Sequence, residues 1–90
     1  MTNVPKRETR LKRLRIRCWR RGTKEMDLIL GPFADTGAAD LDDAQLDAFE
    51  VLLDENDNDL YLWVSGAVTA PERHQPIIDH LRGFHAMDPD

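Results

Sequence analysis

The sequence predicts an all-α fold, a small single domain built as a bundle of about five short helices. Two observations carry that prediction. Apolar residues recur at helical spacing in successive short segments, and helix-capping residues stand in front of most of them. A third supports it by exclusion. The one strand-like run, "LYLWV" at residues 60–64, would have no second strand to pair with.

The first helix is expected over residues 7–21. Leu11, Leu14 and Cys18 fall on one face, while Ile16 and Trp19 lie off it, so the apolar band is wide or two-sided. Gly22 is expected to end this helix by taking a left-handed conformation, with Arg20 and Arg21 in the last turn. Thr23 then caps a second helix from about residue 24 to 30 or beyond, and Glu25 falls in its first turn. Met26, Ile29, Leu30 and Phe33 keep helical spacing, Gly31-Pro32 argues for a stop or kink, and residues 34–40 read as a loop. The third helix has the fullest signal. Asp42 and Gln45 form a capping box, Leu41 and Leu46 a hydrophobic staple, and Leu46, Phe49, Leu52 and Leu53 a core face. The turn "NDND" (56–59) leads to a short fourth helix over about 58–65, closed by Ser65-Gly66. A fifth helix is expected from Thr69 as cap, with Pro71 in its first turn, Glu72 completing a second box, and Ile77, Ile78, Leu81 and Phe84 facing the core. Residues 1–5 and 88–90 read as flexible ends of the one domain, 1–90.

Ninety residues suffice for one core and not for two. A hydrophobic fraction of 41% and a mean hydropathy of -0.54 suit a small soluble helical domain with a high surface-to-volume ratio. No apolar run approaches the ~20 residues a membrane span needs, and the basic N-terminus lacks the apolar stretch of a signal peptide. Cys18 is the sole cysteine, which excludes an internal disulfide and a cysteine zinc cage and fits a reducing compartment. It reads as a small core residue, although Arg17 and Arg20 could lower a thiol pKa.

The net charge of -5 conceals an uneven distribution. Residues 1–25 hold ten cations against two acids, and residues 26–90 hold two cations against fifteen acids. Either the basic helix lies beside acidic helices and the fields partly cancel, or its face meets a partner. A nucleic acid is one candidate partner, because Arg7, Arg10, Arg13, Arg17 and Arg20 recur every three or four residues. The acidic remainder and the lack of a recognition helix weigh against it.

Residues for catalysis are hard to assemble. His74, His80 and His85 do not fall at the spacing of a helical metal pair and read as surface or helix-end residues. Ser65 has no nucleophile motif around it, and the glycines are too isolated to cradle phosphate. The acids of "DENDND" (54–59) lack the glycine and the closing glutamate of a calcium loop, so they read as a solvated turn.

One stretch remains, "RRGTKEMD" at residues 20–27. Every residue of Arg21-Gly22-Thr23-Lys24-Glu25 has a structural role in a turn between helices. Arg21-Gly22-x-x-Glu25 also resembles the RGxxE motif of the succinate dehydrogenase flavinylation factors, bacterial and mitochondrial. The likeness runs through "CWRRGTKEMDLILGPFAD" and "LDDAQLDAFEVLLDENDNDLYLWVSG" and covers about residues 10–85. Two departures are visible: Asn58 stands where a proline is common in the family, and Gly31 precedes Pro32.

The resemblance implies a small all-helical assembly factor rather than an enzyme. Its partner would be the flavoprotein subunit of succinate dehydrogenase, and in some bacteria fumarate reductase. It would promote covalent attachment of FAD to a histidine of that subunit, the FAD belonging to the client and none being bound tightly by the factor itself. Arg21, Gly22 and Glu25 would be the client-binding residues, with Arg17, Arg20 and Asp27 as neighbours in the contact. The free protein would be a monomer, with no metal and no nucleic-acid partner, in the bacterial cytoplasm or the mitochondrial matrix. The alternatives are a nucleic-acid binder acting through the basic first helix, or a toxin–antitoxin-type regulator.

Overall fold

The computed structural model describes residues 6–86, and the expected flexible ends at 1–5 and 88–90 lie outside the described residues. The chain is all-α, with five α-helices and no strand among the described residues. It divides into two compact units, meeting in sequence between Asp40 and Leu41.

In the first unit, α1 (Lys6–Cys18) packs on α2 (Lys24–Pro32) and on the π-helical segment Phe33–Gly37, which a 3₁₀ turn, Ala38–Asp40, follows. Leu14 and Cys18 of the expected stripe are buried with Met26, Leu30, Phe33, Ala34 and Ala38. Leu11 is only half-buried, and Ile16 and Trp19 are not core residues. The far end of α1 is tied down as well, because the Arg7 guanidinium donates to the Ala39 carbonyl at 2.8 Å.

Two expectations for this unit are corrected. The first helix ends at Cys18 rather than Arg21. Continuing it would need the Arg21 N–H to reach the Arg17 carbonyl. That N–H is given to the Asp27 carboxylate instead, at 2.9 Å, and the Arg17 carbonyl accepts from Arg20 at 3.4 Å. Nor does Gly31-Pro32 stop the second helix. Pro32 adopts helical dihedrals (φ -59°, ψ -36°) inside it, and residues 33–40 are helical rather than a loop. A proline supplies no N–H to the carbonyl four residues back and crowds it. The next turn widens in response, so that the Ala38 N–H bonds the Phe33 carbonyl, five residues back.

In the second unit, α3 (Asp43–Leu52) and α4 (Asp57–Ser65) each pack on α5 (Gln75–Ala86) as well as forming their own turn. The Asp42/Gln45 box is present in both directions, at 2.8 and 2.9 Å, and Leu41 and Leu46 are buried beside it. Asn56 caps α4 through the Asp59 N–H at 2.9 Å, and Gly66 ends it in the left-handed region (φ +85°). "LYLWV" is helical, as expected. The fifth helix starts later than expected. Pro71 carbonyl bonds to the His74 and Gln75 N–H groups form a turn, and α5 begins at Gln75. Pro76 explains the choice: at the second helical position its missing N–H costs nothing, because that group has no intrahelical acceptor. Thr69 and Glu72 therefore stand outside the helix. Ile77, Ile78 and Leu81 are its buried face, and Phe84 is half-buried.

Candidate functional site

The turn between α1 and α2 is built from three local devices. Gly22 has φ +103°, a conformation that side chains rarely adopt. Thr23 has extended dihedrals, and its hydroxyl accepts the Met26 N–H at 3.4 Å, capping α2. Asp27, one turn into α2, reaches back to the Arg21 N–H. Two backbone donors that a chain reversal would otherwise leave open are thus satisfied, one by the cap of α2 and one by a side chain of α2 itself.

The residues singled out in the sequence take distinct positions on this frame. Arg17 lies exposed on the last turn of α1. Arg20 is exposed and Arg21 half-buried, and both are in the turn rather than in the helix, because α1 has already ended. Arg17, Arg20, Arg21 and Ile16 together line an open depression of about 360 Å³. Glu25 is exposed in the first turn of α2, and its carboxylate has no hydrogen-bond or ion-pair partner among the described residues. Asp27 is half-buried and committed to the turn. The site thus places three guanidinium groups and one exposed carboxylate within a nine-residue span of chain.

Beneath the turn, Cys18 is fully buried. Burial pushes its thiol up to about 12, with Arg21 and Arg17 opposing the shift only in part. It is a core residue rather than a nucleophile, as its type suggested. No group of histidines, cysteines and carboxylates able to hold a metal occurs among the described residues.

A family model described as the flavinator of succinate dehydrogenase matches residues 12–85 of this chain. The chain belongs to this family. It is similar to a Mycosarcoma maydis protein named succinate dehydrogenase assembly factor 2, mitochondrial, with 43% identity over 67 residues, 74% of this chain and 28% of that one. A Francisella tularensis protein named FAD assembly factor SdhE is 36% identical over 62 residues, 69% of this chain and 65% of its own. A protein of the same name from Legionella pneumophila is 37% identical over 63 residues, 70% of this chain and 80% of its own. The chain spans less than half the length of the fungal relatives and most of the Legionella one. The family match takes in the whole RGTKE turn and all of α2 to α5 but the last residue of α5.

Sequence reasoning missed two sets of residues. Trp19, Gly31 and Asp35 form a cluster behind the turn: the indole N–H forks to both Asp35 oxygens at 3.1 and 3.2 Å, and the ring lies against Gly31. The departure Gly31 before Pro32 was the visible signal. In the second unit, His74 is buried rather than at the surface. Its Nε2 meets Glu55 at 2.9 Å, and its ring lies 5.5 Å from that of Trp63. An ionised carboxylate only accepts, so Nε2 carries the proton. His80 also has a partner, the amide of Gln45 at 2.9 Å, which extends the α3 capping box to α5.

Proposed function

We propose that this chain is an assembly factor that binds the flavoprotein subunit of succinate dehydrogenase, or of fumarate reductase, and promotes covalent attachment of FAD to it. The observation that carries the reading is the form of the RGTKE turn. It is braced at Gly22, Thr23 and Asp27, yet its Glu25 carboxylate is exposed and has no partner among the described residues. The brace holds the turn, whereas the exposed carboxylate adds only the modest dipole stabilisation of an acid in a helix's first turn and is left open to a partner. Family membership and the relatives' names supply the client class.

The roles follow from side-chain chemistry. Arg21 and Arg20 offer planar forks for client carboxylates, and Arg17 extends the cationic edge. Glu25 accepts hydrogen bonds from donors near the client's flavin site. Gly22 takes the left-handed conformation on which the turn depends, and Asp27 holds the turn in shape. Contact at this surface favours the client conformation in which its histidine meets the flavin that the client itself carries. The gain is one of proximity, and no group of this chain enters the bond-forming step. A nucleic acid has no observation in its favour beyond the cations, and Arg7 of that stripe is already engaged with the Ala39 carbonyl.

The test mixes the FAD-loaded flavoprotein subunit with and without this protein and follows covalent flavin by fluorescence in a denaturing gel. Acceleration by the protein is the expected result. No acceleration, together with tight duplex-DNA binding that falls steeply with salt, would replace this reading with the nucleic-acid one.

A further inference from the structure

Trp19 is the residue immediately before Arg20-Arg21-Gly22, and it is only 39% exposed although α1 has ended at Cys18. Its ring lies against Gly31 so closely that a Cβ there would fall far inside van der Waals contact with Cε2, Cδ2 and Cζ2. Its N–H is shared by the two oxygens of Asp35. Asp35 in turn sits on the π-helical segment that Pro32 produces, and the Thr36 hydroxyl fastens that segment to the Pro32 carbonyl at 3.1 Å. A regular helix would carry residue 35 round to a different angle, so the widened turn and the indole acceptor belong together.

We propose that Trp19 is a positioning residue: with Gly31 and Asp35 it forms a latch that fixes the chain leaving α1 and thereby sets the RGTKE turn for the client. The proposal rests on the assembly-factor reading for its functional part and on geometry alone for its structural part. The turn is held on one side by Asp27 on the Arg21 N–H and on the other by this latch, two residues earlier. Gly31 is required here by the indole, since nothing about its backbone dihedrals calls for glycine.

The experiment uses the full chain. In the wild-type background Gly31→Ala should lower the Tm, because the added methyl collides with the ring. In a Trp19→Ala background the same change should raise it, because alanine is the better helix former once the ring is gone. The same sign in both backgrounds overturns the latch. Trp19→Phe keeps a ring and removes the N–H. It should speed amide exchange at Arg21 by about 5-fold relative to amides of α5, the loss of roughly one net hydrogen bond. It should also raise the factor concentration for half-maximal flavinylation by a similar factor while leaving the saturating rate in place. A folded Trp19→Phe with unchanged exchange and unchanged half-saturation removes the positioning role. If wild-type protein does not accelerate flavinylation at all, the functional reading fails, and the Tm sign reversal and the exchange rates still decide the latch.

Discussion

Gly22→Ala isolates the backbone contribution to the RGTKE turn. An ideal Cβ at Gly22 meets no atom within 4 Å, so the substitution creates no collision. What remains is the cost of holding an L-residue at φ +103°. Left-handed backbone costs a non-glycine residue roughly 1–2 kcal/mol. Alanine recovers about 0.4–1 kcal/mol by restricting the unfolded chain. The expected net loss is therefore about 1 kcal/mol. In a chain of this size that corresponds to a Tm drop of roughly 4–8 °C, or a urea midpoint lower by about 1 M at unchanged slope. Gly83→Ala is the internal control. Gly83 also has open space around its Cβ, but it lies within α5 without a positive φ, so alanine should stabilise by about 0.5–1 kcal/mol. Urea titrations of both variants by circular dichroism at 222 nm test the pair. A neutral or stabilising Gly22→Ala would mean that the turn is not left-handed in solution, and the presentation of Glu25 derived from it would fall.

Three further outcomes are expected. Cys18 is buried with its thiol near 12, against an ordinary 9.0, so native protein should hold roughly 10³-fold less thiolate at pH 8 than unfolded protein; mass spectrometry after iodoacetamide should show alkylation only in urea. The hydrogen bond from His74, aided by Arg73 against partial desolvation, holds Glu55 below its ordinary 4.5, so its folded pKa is under its unfolded one. Its stabilisation is present above the unfolded value and lost as pH falls through the folded one; the stability gap between wild type and Glu55→Gln should shrink below about pH 4.5, and a gap that widens in acid would refute the pairing. Asp42→Ala removes the cap of α3 and should cost about 1 kcal/mol in urea denaturation; an unchanged urea midpoint would refute the cap.

The parts of this fold that were legible in the sequence are those fixed by residues a few positions apart. The Asp42/Gln45 box, the Thr23 cap, the left-handed Gly22 and the end of α4 at Ser65-Gly66 each depend on local chemistry, and each stands where the sequence put it. What was not legible depends on distant partners. The end of α1 is decided by Asp27, six residues beyond the N–H it captures. Helix through Gly31-Pro32 follows because a proline with helical φ widens the next turn without breaking it, and because Trp19, twelve residues away, occupies the space a side chain would take. His74 is buried because Glu55, nineteen residues earlier, satisfies it. The late start of α5 was foreshadowed by Pro76, which Thr69 and Glu72 overshadowed. At the candidate site, the motif residues were visible by resemblance, and their bracing was not.

Glu25 gives the most direct test of the account. Exposed in the first turn of α2 and without a partner among the described residues, it contributes to stability through the helix dipole, a few tenths to ~1 kcal/mol. Covalent flavin on the FAD-loaded flavoprotein subunit would be measured with wild type and with Glu25→Gln, the variant's fold checked by circular dichroism. The account predicts a folded variant that accelerates attachment little or not at all. A variant as effective as wild type would contradict the claim that this turn is the working surface.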